Sequence, residues 1–499
     1  MVDTKQTENN QIQHLDVLIV GAGISGVACA YHLQNKCPNK SFLMVESKSR
    51  WGGTWETHKY PGVRSDSDLY TFGYSFKPWN GVPIATAGEI LRYMEEAIEE
   101  NSLNDKITYN TQITSAQWSD EKKHWTVSLK NTEENREYTV TTSFLWMCAG
   151  YYEHDQGYTP DFPNMESFKG DIVHPQTWPE DYDYTGKKVL VIGSGATAAT
   201  LIPAMAEDAE HVTMLQRSPT YFAPLENKNE MADMLRELDL PEEQVHDITR
   251  KKILHDSKLI HQTSKENPEY VKQALLAEVE KQVGSKEIVE KHFTPKYRPW
   301  QQRLAAVPNG DLFHYVREGK ASVVTDTIES FVEEGILLTS GEVLEADIII
   351  TATGFNLKML GGVDMRLGNG EPFYPHQSWA YRGVMFSGVP NFANVFGYLR
   401  TSWTMRAELI ADYVCRLLNH MDEKGAQVVT PELRPEDEGM EPMYFIPEED
   451  FNPGYMLRGR HLMPKRGDKE PWSFELDYYK EKEILPNCSL DDDALVYQS

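Results

Sequence analysis

The residues best suited to chemistry in this sequence lie in two glycine-rich strings. Gly21-Ala22-Gly23-Ile24-Ser25-Gly26 has the spacing G-x-G-x-x-G. Such a string is built to hold negative charge. Gly21 permits a tight turn, Gly23 lets the backbone approach a pyrophosphate, and Gly26 allows a following helix to pack closely. The helix then opens at Ser25 with its free N–H groups aimed at the phosphates. Glu46, twenty residues beyond Gly26, is placed to accept hydrogen bonds from a ribose. A lone glycine pattern usually marks a plain turn, but a strand before it, a helix after it and an acid beyond argue for a dinucleotide.

Gly193-Ser194-Gly195-Ala196-Thr197-Ala198 repeats the pattern, with Ala198 in the third glycine position. The strand that follows ends in Gln216-Arg217-Ser218 instead of an acid. A cation and a hydroxyl therefore stand where a 2′-phosphate would lie, which favours NADPH over NADH, although a solvated arginine at a strand end is the plainer alternative. Two nucleotide sites in one chain imply electron transfer between them, with hydride passing from a nicotinamide to a flavin.

These loops need strands and helices to aim them. Leu15 to Val20 is a short apolar, β-branched run ahead of Gly21, Ser25 to Gln34 reads as a helix, and Phe42 to Val45 reads as the strand that ends at Glu46. Lys188 to Ile192, a helix through Met205 and a strand Val212 to Leu215 repeat the arrangement. Phe144 to Cys148 stops at Ala149-Gly150, and Asp347 to Thr351 stops at Ala352-Thr353-Gly354, each reading as a closing strand of its unit. Asn227 to Lys291 is rich in Lys, Glu, Gln, Leu and Ala and reads as a helical insertion, and Met405 to Asn419 reads as a long helix. The expected fold class is α/β, with two Rossmann-like dinucleotide-binding domains and a helical insertion. Residues 1–150 and 385–499 form the first domain, 151–221 and 325–384 the second, and 222–324 the insertion.

The chain has 499 residues, 40% hydrophobic and 25% charged, which fits a folded enzyme able to bury a large cofactor. A net charge of −27 argues against nucleic acid or an acidic membrane surface as the main partner. Cys29, Cys37, Cys148, Cys415 and Cys488 show no C-x-x-C spacing, so a reducing cytoplasm is expected, with no zinc site and no other metal. Met1 to Gln13 is polar, and no stretch offers about 18 uninterrupted apolar residues, which leaves peripheral membrane contact as the closest approach to a bilayer. The tail Asp491-Asp492-Asp493 reads as solvated.

Between the two units runs Phe168-Lys169-Gly170-Asp171-Ile172-Val173-His174-Pro175-Gln176-Thr177-Trp178-Pro179. It matches F-x-G-x-x-x-H-x-x-x-W-P, the fingerprint of the Baeyer–Villiger monooxygenases. Gly52-Gly53-Thr54-Trp55 and Tyr60-Pro61-Gly62-Val63-Arg64-Ser65-Asp66 match a second pair of signatures of that family. The run Tyr60 to Trp79, Gln216 to Tyr221 and Val307-Pro308-Asn309-Gly310-Asp311 is similar to the ethionamide-monooxygenase subgroup. The resemblance covers nearly the whole chain and is weakest in the helical insertion.

What the resemblance implies is a monooxygenase with FAD in the first domain and NADPH in the second, whose reduced flavin reacts with O2 to give a C4a-peroxyflavin. One oxygen atom then enters a ketone, giving an ester or lactone, and sulfides are oxygenated too. By the same resemblance Arg303, in Pro299-Trp300-Gln301-Gln302-Arg303-Leu304, stabilises the peroxide anion and Asp66 orients Arg303 beside the flavin. Gly53, Thr54, Trp55 and Ile113 are implied FAD contacts, Arg64 an implied NADP contact, and His174 a conformational residue of the interdomain linker. The sequence departs from many ketone-oxidising members in carrying Gln302 where they have Lys, which leaves selectivity for the 2′-phosphate to Arg217. The competing readings are an S- or N-oxygenating flavin monooxygenase without ketone activity, a flavin-dependent NADPH reductase and a non-catalytic nucleotide sensor. A disulfide reductase would need a redox cysteine pair that the spacing does not offer. The substrate pocket is expected between the insertion and the loop Tyr398 to Trp403.

Overall fold

The apolar run ahead of Gly21 forms the strand His14–Val20. Parallel strands flank it, Phe42–Val45 on one edge and Arg136–Met147 on the other, and its two faces are buried in different cores, Val17 and Ile19 in one and Leu15, Leu18 and Val20 in the other. The computed structural model describes residues 13–499, so all of the polar amino-terminal stretch but its last residue lies outside them. The first sheet has eight strands and runs in the order Asp364–Arg366, Thr111–Ser119, His124–Asn131, Arg136–Met147, His14–Val20, Phe42–Val45 and Ile107–Thr108, with Phe392–Asn394 also paired to Arg136–Met147. Small side chains on helix Ile24–Lys36, among them Ala28, Cys29 and Ala30, are fully buried, and the same core holds Ala407, Ala411 and Val414 of helix Trp403–Lys424. That close packing of two helices fixes the direction in which the first glycine loop points.

The second sheet has five parallel strands in the order Ala321–Thr325, His211–Gln216, Lys188–Ile192, Ile348–Thr351 and Asp171–Val173. Two linkers join the units, and they pair with each other: Tyr152–Gly157 runs antiparallel to Phe355–Leu357. Helices Glu230–Glu237, Glu242–Glu266, Pro268–Val283 and Lys286–His292 make the insertion. Arg250 ties it to the first unit by donating to the carbonyls of Tyr70 and Gly73 at 3.1 and 2.8 Å. Among the described residues no helix is long and apolar enough to cross a membrane.

Three expectations need correction. The second domain does not extend to residue 384, because Asp364–Arg366 pairs in parallel with Thr111–Ser119 and so belongs to the first sheet. Nor does the insertion run to residue 324, since Ala321–Thr325 is the edge strand of the second sheet. Both strands are too short to stand out by periodicity. The acidic tail is docked: Asp492 accepts from the Tyr381 hydroxyl at 3.0 Å and from Arg382 at 3.1 Å, and Asp491 pairs with Lys424 at 2.6 Å.

Helix Trp403–Lys424 also carries a buried charge. The Arg406 side chain is wholly inaccessible and binds Glu481 through Nε at 2.8 Å and Nη2 at 2.9 Å, while Nη1 donates to the Phe396 carbonyl at 2.6 Å. Removing one partner leaves the other charged and unpaired in the core. Glu481→Ala should therefore lose about 3 to 5 kcal/mol of stability, visible as a clear drop in the thermal unfolding midpoint; an unchanged midpoint would show that the pair contributes nothing.

Candidate active site

The outer glycines of the first loop, Gly21 and Gly26, each meet a neighbour that leaves no room for a side chain. Gly21 has φ +103°, and a Cβ there would stand 2.7 Å from the Cys148 carbonyl oxygen. At Gly26 a Cβ would stand 1.9 Å from the Gly21 carbonyl oxygen. Glu46 is buried, and its Oε2 accepts from the Ala22 N–H at 2.8 Å while Oε1 accepts from the Lys48 N–H at 3.0 Å, so the acid is fixed against the loop. The segment Gly52-Gly53 crosses the helix start, with a Cβ on Gly53 only 3.1 Å from the Gly23 Cα. Thr54 and Trp55 open the short helix Thr54–Thr57, and Trp55 meets Phe72 edge-on at 5.7 Å. Ser25 Oγ accepts from the Trp403 indole N–H at 2.7 Å. Ile113 pairs with Leu129 within the first sheet, two residues beyond Thr111, whose N–H donates to the Glu46 carbonyl at 2.8 Å.

The second loop repeats this backbone. Gly193 has φ +129°, and a Cβ there would stand 2.4 Å from the Ala352 carbonyl oxygen, the counterpart of Cys148. Gly195 and Gly23 share the same backbone angles, φ −77° and ψ −172°. Helices Ile24–Lys36 and Ala196–Met205 each begin with no side-chain cap and no acid in the first turn. Their uncapped N–H groups are the donors that a pyrophosphate needs, so the chain fits one dinucleotide at each loop. A Cβ on Gly195 would meet nothing within 4 Å, which leaves open space for the ligand. Ala198 is fully buried against the second core. Ser194 Oγ lies 2.9 Å from Thr220 Oγ1 and 3.4 Å from the Ser218 carbonyl, which ties the loop to the strand end. The Tyr60 hydroxyl lies beside Thr197. Arg217 and Ser218 are exposed, and the Arg217 guanidinium has no ion pair among the described residues.

Arg303 and Asp66 meet although 237 positions separate them. Arg303 Nε donates to Asp66 Oδ2 at 2.5 Å, Nη2 to Oδ1 at 2.7 Å, and Nη1 to the Leu399 carbonyl at 2.8 Å. The pair lies deep in the protein, yet 39% of the Arg303 side chain and 22% of the Asp66 side chain remain accessible. It therefore faces a cavity and not packed side chains. Burial opposes ionisation of Asp66, but the Arg303 charge and the two hydrogen bonds outweigh it and hold the carboxyl below the usual carboxylate range. Arg64 is engaged within the chain. It pairs with Asp311 through both terminal nitrogens and donates to the Ala199 carbonyl at 3.4 Å. This bond pins the Tyr60–Arg64 stretch to the second unit.

Three residues around Arg303 carry no signal in the sequence. Tyr151 and Tyr152 join hydroxyl to hydroxyl at 2.6 Å, and Tyr455, from the helix Gly454–Gly459, brings its hydroxyl beside both. Tyr151 stacks on Trp403 at 5.2 Å, which links this cluster to Ser25 of the first loop. Tyr151-Tyr152 directly follows the closing Gly150, a position where a ligand-facing residue could have been sought; Tyr455 sits in an irregular carboxyl-terminal arm with no such marker.

Two phosphate-binding helix starts and a charged pair open on a cavity define a flavoprotein of the two-nucleotide class. The comparisons agree. Residues 83–238 match the flavin-binding monooxygenase-like family, and residues 19–81 match an NAD(P)-binding Rossmann-like domain. The FAD-containing monooxygenase EthA of Mycolicibacterium smegmatis is 44% identical over 485 residues, 97% of each chain. The probable FAD-binding monooxygenase AlmA of Acinetobacter baylyi is 43% identical over 485 residues, 97% of this chain and 96% of that one. Among solved structures, an oxidised steroid monooxygenase bound to NADP superposes with TM-score 0.74 at 24% identity, over 98% of this chain and 100% of that one. This chain belongs to the FAD-containing monooxygenases, a family of NADPH-dependent flavoproteins.

Two measurements follow from the geometry. Gly195→Ala should fold with an unchanged unfolding midpoint, since its φ suits alanine and the space is open, yet raise the KM for NADPH by roughly tenfold as the methyl meets the phosphates; an unchanged KM would remove Gly195 from the nucleotide site. Asp66 has a lowered pKa, so its contribution to stability is present above about pH 4, the ordinary carboxylate value, and is lost as pH falls through the lowered one. The difference in unfolding midpoint between the wild type and Asp66→Asn should shrink on acidification below that value and stay constant above it.

Proposed function

We propose that this protein is a Baeyer–Villiger-type monooxygenase that takes up O2, NADPH and a proton and converts a ketone to an ester or lactone, releasing water and NADP+. Sulfides are oxygenated at the same site. The observation that carries the reading is the Arg303–Asp66 pair, two-pronged and open on its cavity side. A guanidinium cannot lose its proton at any working pH, and here it is held rigidly where negative oxygen develops.

Bound FAD would supply the chemistry that the chain lacks, storing the electrons of NADPH and activating O2. The remaining work belongs to the protein. The uncapped starts of helices Ile24–Lys36 and Ala196–Met205 hold the two pyrophosphates, and Glu46 holds a ribose. Arg217, free and exposed at the end of strand His211–Gln216, takes the 2′-phosphate. Asp66 stays ionised through the neutral range and keeps the Arg303 fork aimed at the cavity. The enzyme is read as working in the cytoplasm on a small-molecule substrate.

The test is turnover of the purified holoprotein with NADPH and O2 against a panel of ketones and sulfides, with products identified by mass spectrometry. Arg303→Ala should keep its FAD and its reduction by NADPH while losing ester formation by roughly 10²- to 10³-fold. Full ester yield from that variant, or no ester from any ketone with the wild type, would overturn the reading. Arg217→Ala should lower the preference for NADPH over NADH by about tenfold, and an unaltered ratio would place the 2′-phosphate elsewhere.

A further inference from the structure

A second cavity adjoins the loop that holds Arg303. Leu399, whose carbonyl accepts from Arg303 Nη1 at 2.8 Å, is one of its lining residues. The cavity measures about 50 Å³, room for roughly four waters or one compact polar group. Its apolar lining is Leu399, Phe445, Ile446, Phe451 and Leu476, and the first four belong to one buried cluster. Its charged lining is Lys265 of the insertion with Arg400, Arg466, Asp450, Glu475 and Asp477.

The acids are engaged. Asp450 Oδ1 pairs with Arg400 at 3.0 Å; burial opposes its ionisation, but Arg400 outweighs burial and holds the carboxyl below the usual range. Both Glu475 oxygens accept from Lys480 at 2.7 Å. Asp477 caps the helix Tyr478–Ile484 by accepting from the Tyr479 N–H at 2.9 Å. The cations are less well matched. Lys265, Arg466 and the neighbouring Arg298 form no ion pair among the described residues, and Arg298 Nη2 donates to the carbonyl of Glu449, next to Asp450, at 2.8 Å. The half-buried Arg466 donates from Nη1 to the Phe474 carbonyl at 3.1 Å, Nη2 meets the Met443 sulfur at 3.9 Å, and the buried Nε has no partner. A guanidinium has five N–H donors, so most of this one is unspent. In a chain of net charge −27, surplus positive charge at a cavity is the signature of an anion site, since a buried charge without a counter-charge is costly. The apolar lining favours an anion carried on a hydrocarbon chain over a free phosphate.

Building on the Baeyer–Villiger reading above, we propose that this cavity is a subsite for a carboxylate of the substrate, and that the ketone oxygenated by this protein is an oxo acid. Arg466 grips the carboxylate with its unspent N–H groups, a geometry in which a planar fork meets a planar anion. Lys265, exposed at the rim, adds positive charge. Leu399, Phe445 and Phe451 pack on the carbon chain, and the ketone lies on the Arg303 side of Leu399. Arg466 touches no reacting atom, so it sets specificity and takes no part in oxygen insertion.

Calorimetric binding of octanoate, a carboxylate on an apolar chain, to the oxidised holoenzyme should weaken about tenfold in Arg466→Gln and recover in part in Arg466→Lys, with octanol binding unchanged. Octanoate should also raise the apparent KM for the ketone. In turnover the wild type should favour an oxo acid over the methyl ester of the same acid by roughly tenfold in kcat/KM, and that preference should vanish in Arg466→Gln while the methyl ester is oxygenated as before. FAD content and reduction by NADPH report an intact fold in both variants. Equal turnover of acid and methyl ester by the wild type, equal losses on both compounds in both variants, or octanoate binding that leaves the KM for the ketone unchanged would overturn the proposal. If the wild type inserts oxygen into no ketone, the Baeyer–Villiger reading fails by itself, and octanoate binding still decides whether Arg466 holds a carboxylate.

Discussion

The structure depends on keeping one guanidinium charged, fixed and partly bare. Arg303 comes from the end of the helical insertion, Asp66 from the first unit, and the Leu399 carbonyl from the loop ahead of the long carboxyl-terminal helix. None of these stretches carries a strand or helix at the point of contact. A buried charge is costly unless it is paired and hydrogen-bonded, so a displacement of any one of the three would strand Arg303 without its acceptors. The pair therefore does two jobs, presenting a cation to the cavity and fixing the register in which insertion, first unit and carboxyl-terminal arm meet.

The two nucleotide units are held to each other by bonds of a different kind. Their linkers form one antiparallel ribbon, and the His174 ring lies so close over Gly157 of that ribbon that any side chain there would overlap it. His174 Nδ1 accepts from the Gln176 N–H at 3.1 Å, and burial holds the ring's pKa below the ordinary histidine value, so it packs as a neutral wedge. On the opposite side Gly62, with φ +73°, lets the chain run tight against Ala204 and the Thr200 carbonyl of the second unit, and Arg64 closes the contact on Asp311. One attachment is a two-strand hinge and the other a polar clasp. A motion that opened the clasp and bent the hinge would change the distance between the two loops without disturbing either sheet.

Much of this architecture was legible because glycine-loop chemistry is local. Gly21, Gly23, Gly26 and Glu46 act within one βαβ unit, and so do Gly193, Gly195 and Arg217, so spacing alone exposed them. The helical insertion and the long helix after Ser402 were also visible, since their composition and period extend over many residues. The domain limits were not, because a three-residue strand such as Asp364–Arg366 has no period to read. Arg303 and Asp66 became visible only through family resemblance, since nothing in either neighbourhood implies a partner 237 positions away. Tyr455 stayed hidden for the same reason. Arg64 shows the same limit: its ion-pair partner, Asp311 at the start of helix Asp311–Arg317, could be seen only in three dimensions.

The protein must gather two phosphate-rich cofactors although its net charge is −27. Side chains alone would solve this poorly, because each added Lys or Arg would need to outweigh the acidic surface around it. Both loops use backbone donors instead. Each helix starts with glycine, carries no acid in its first turn and leaves its N–H groups unspent, so the helix end itself supplies positive potential at short range. Fixed partial charges of this kind are insensitive to pH and keep their geometry when the ligand is gone. On the function proposed above, charged side chains are then needed only where the backbone cannot discriminate: at the 2′-phosphate, the role proposed for Arg217, and at the reacting oxygen, the role proposed for Arg303.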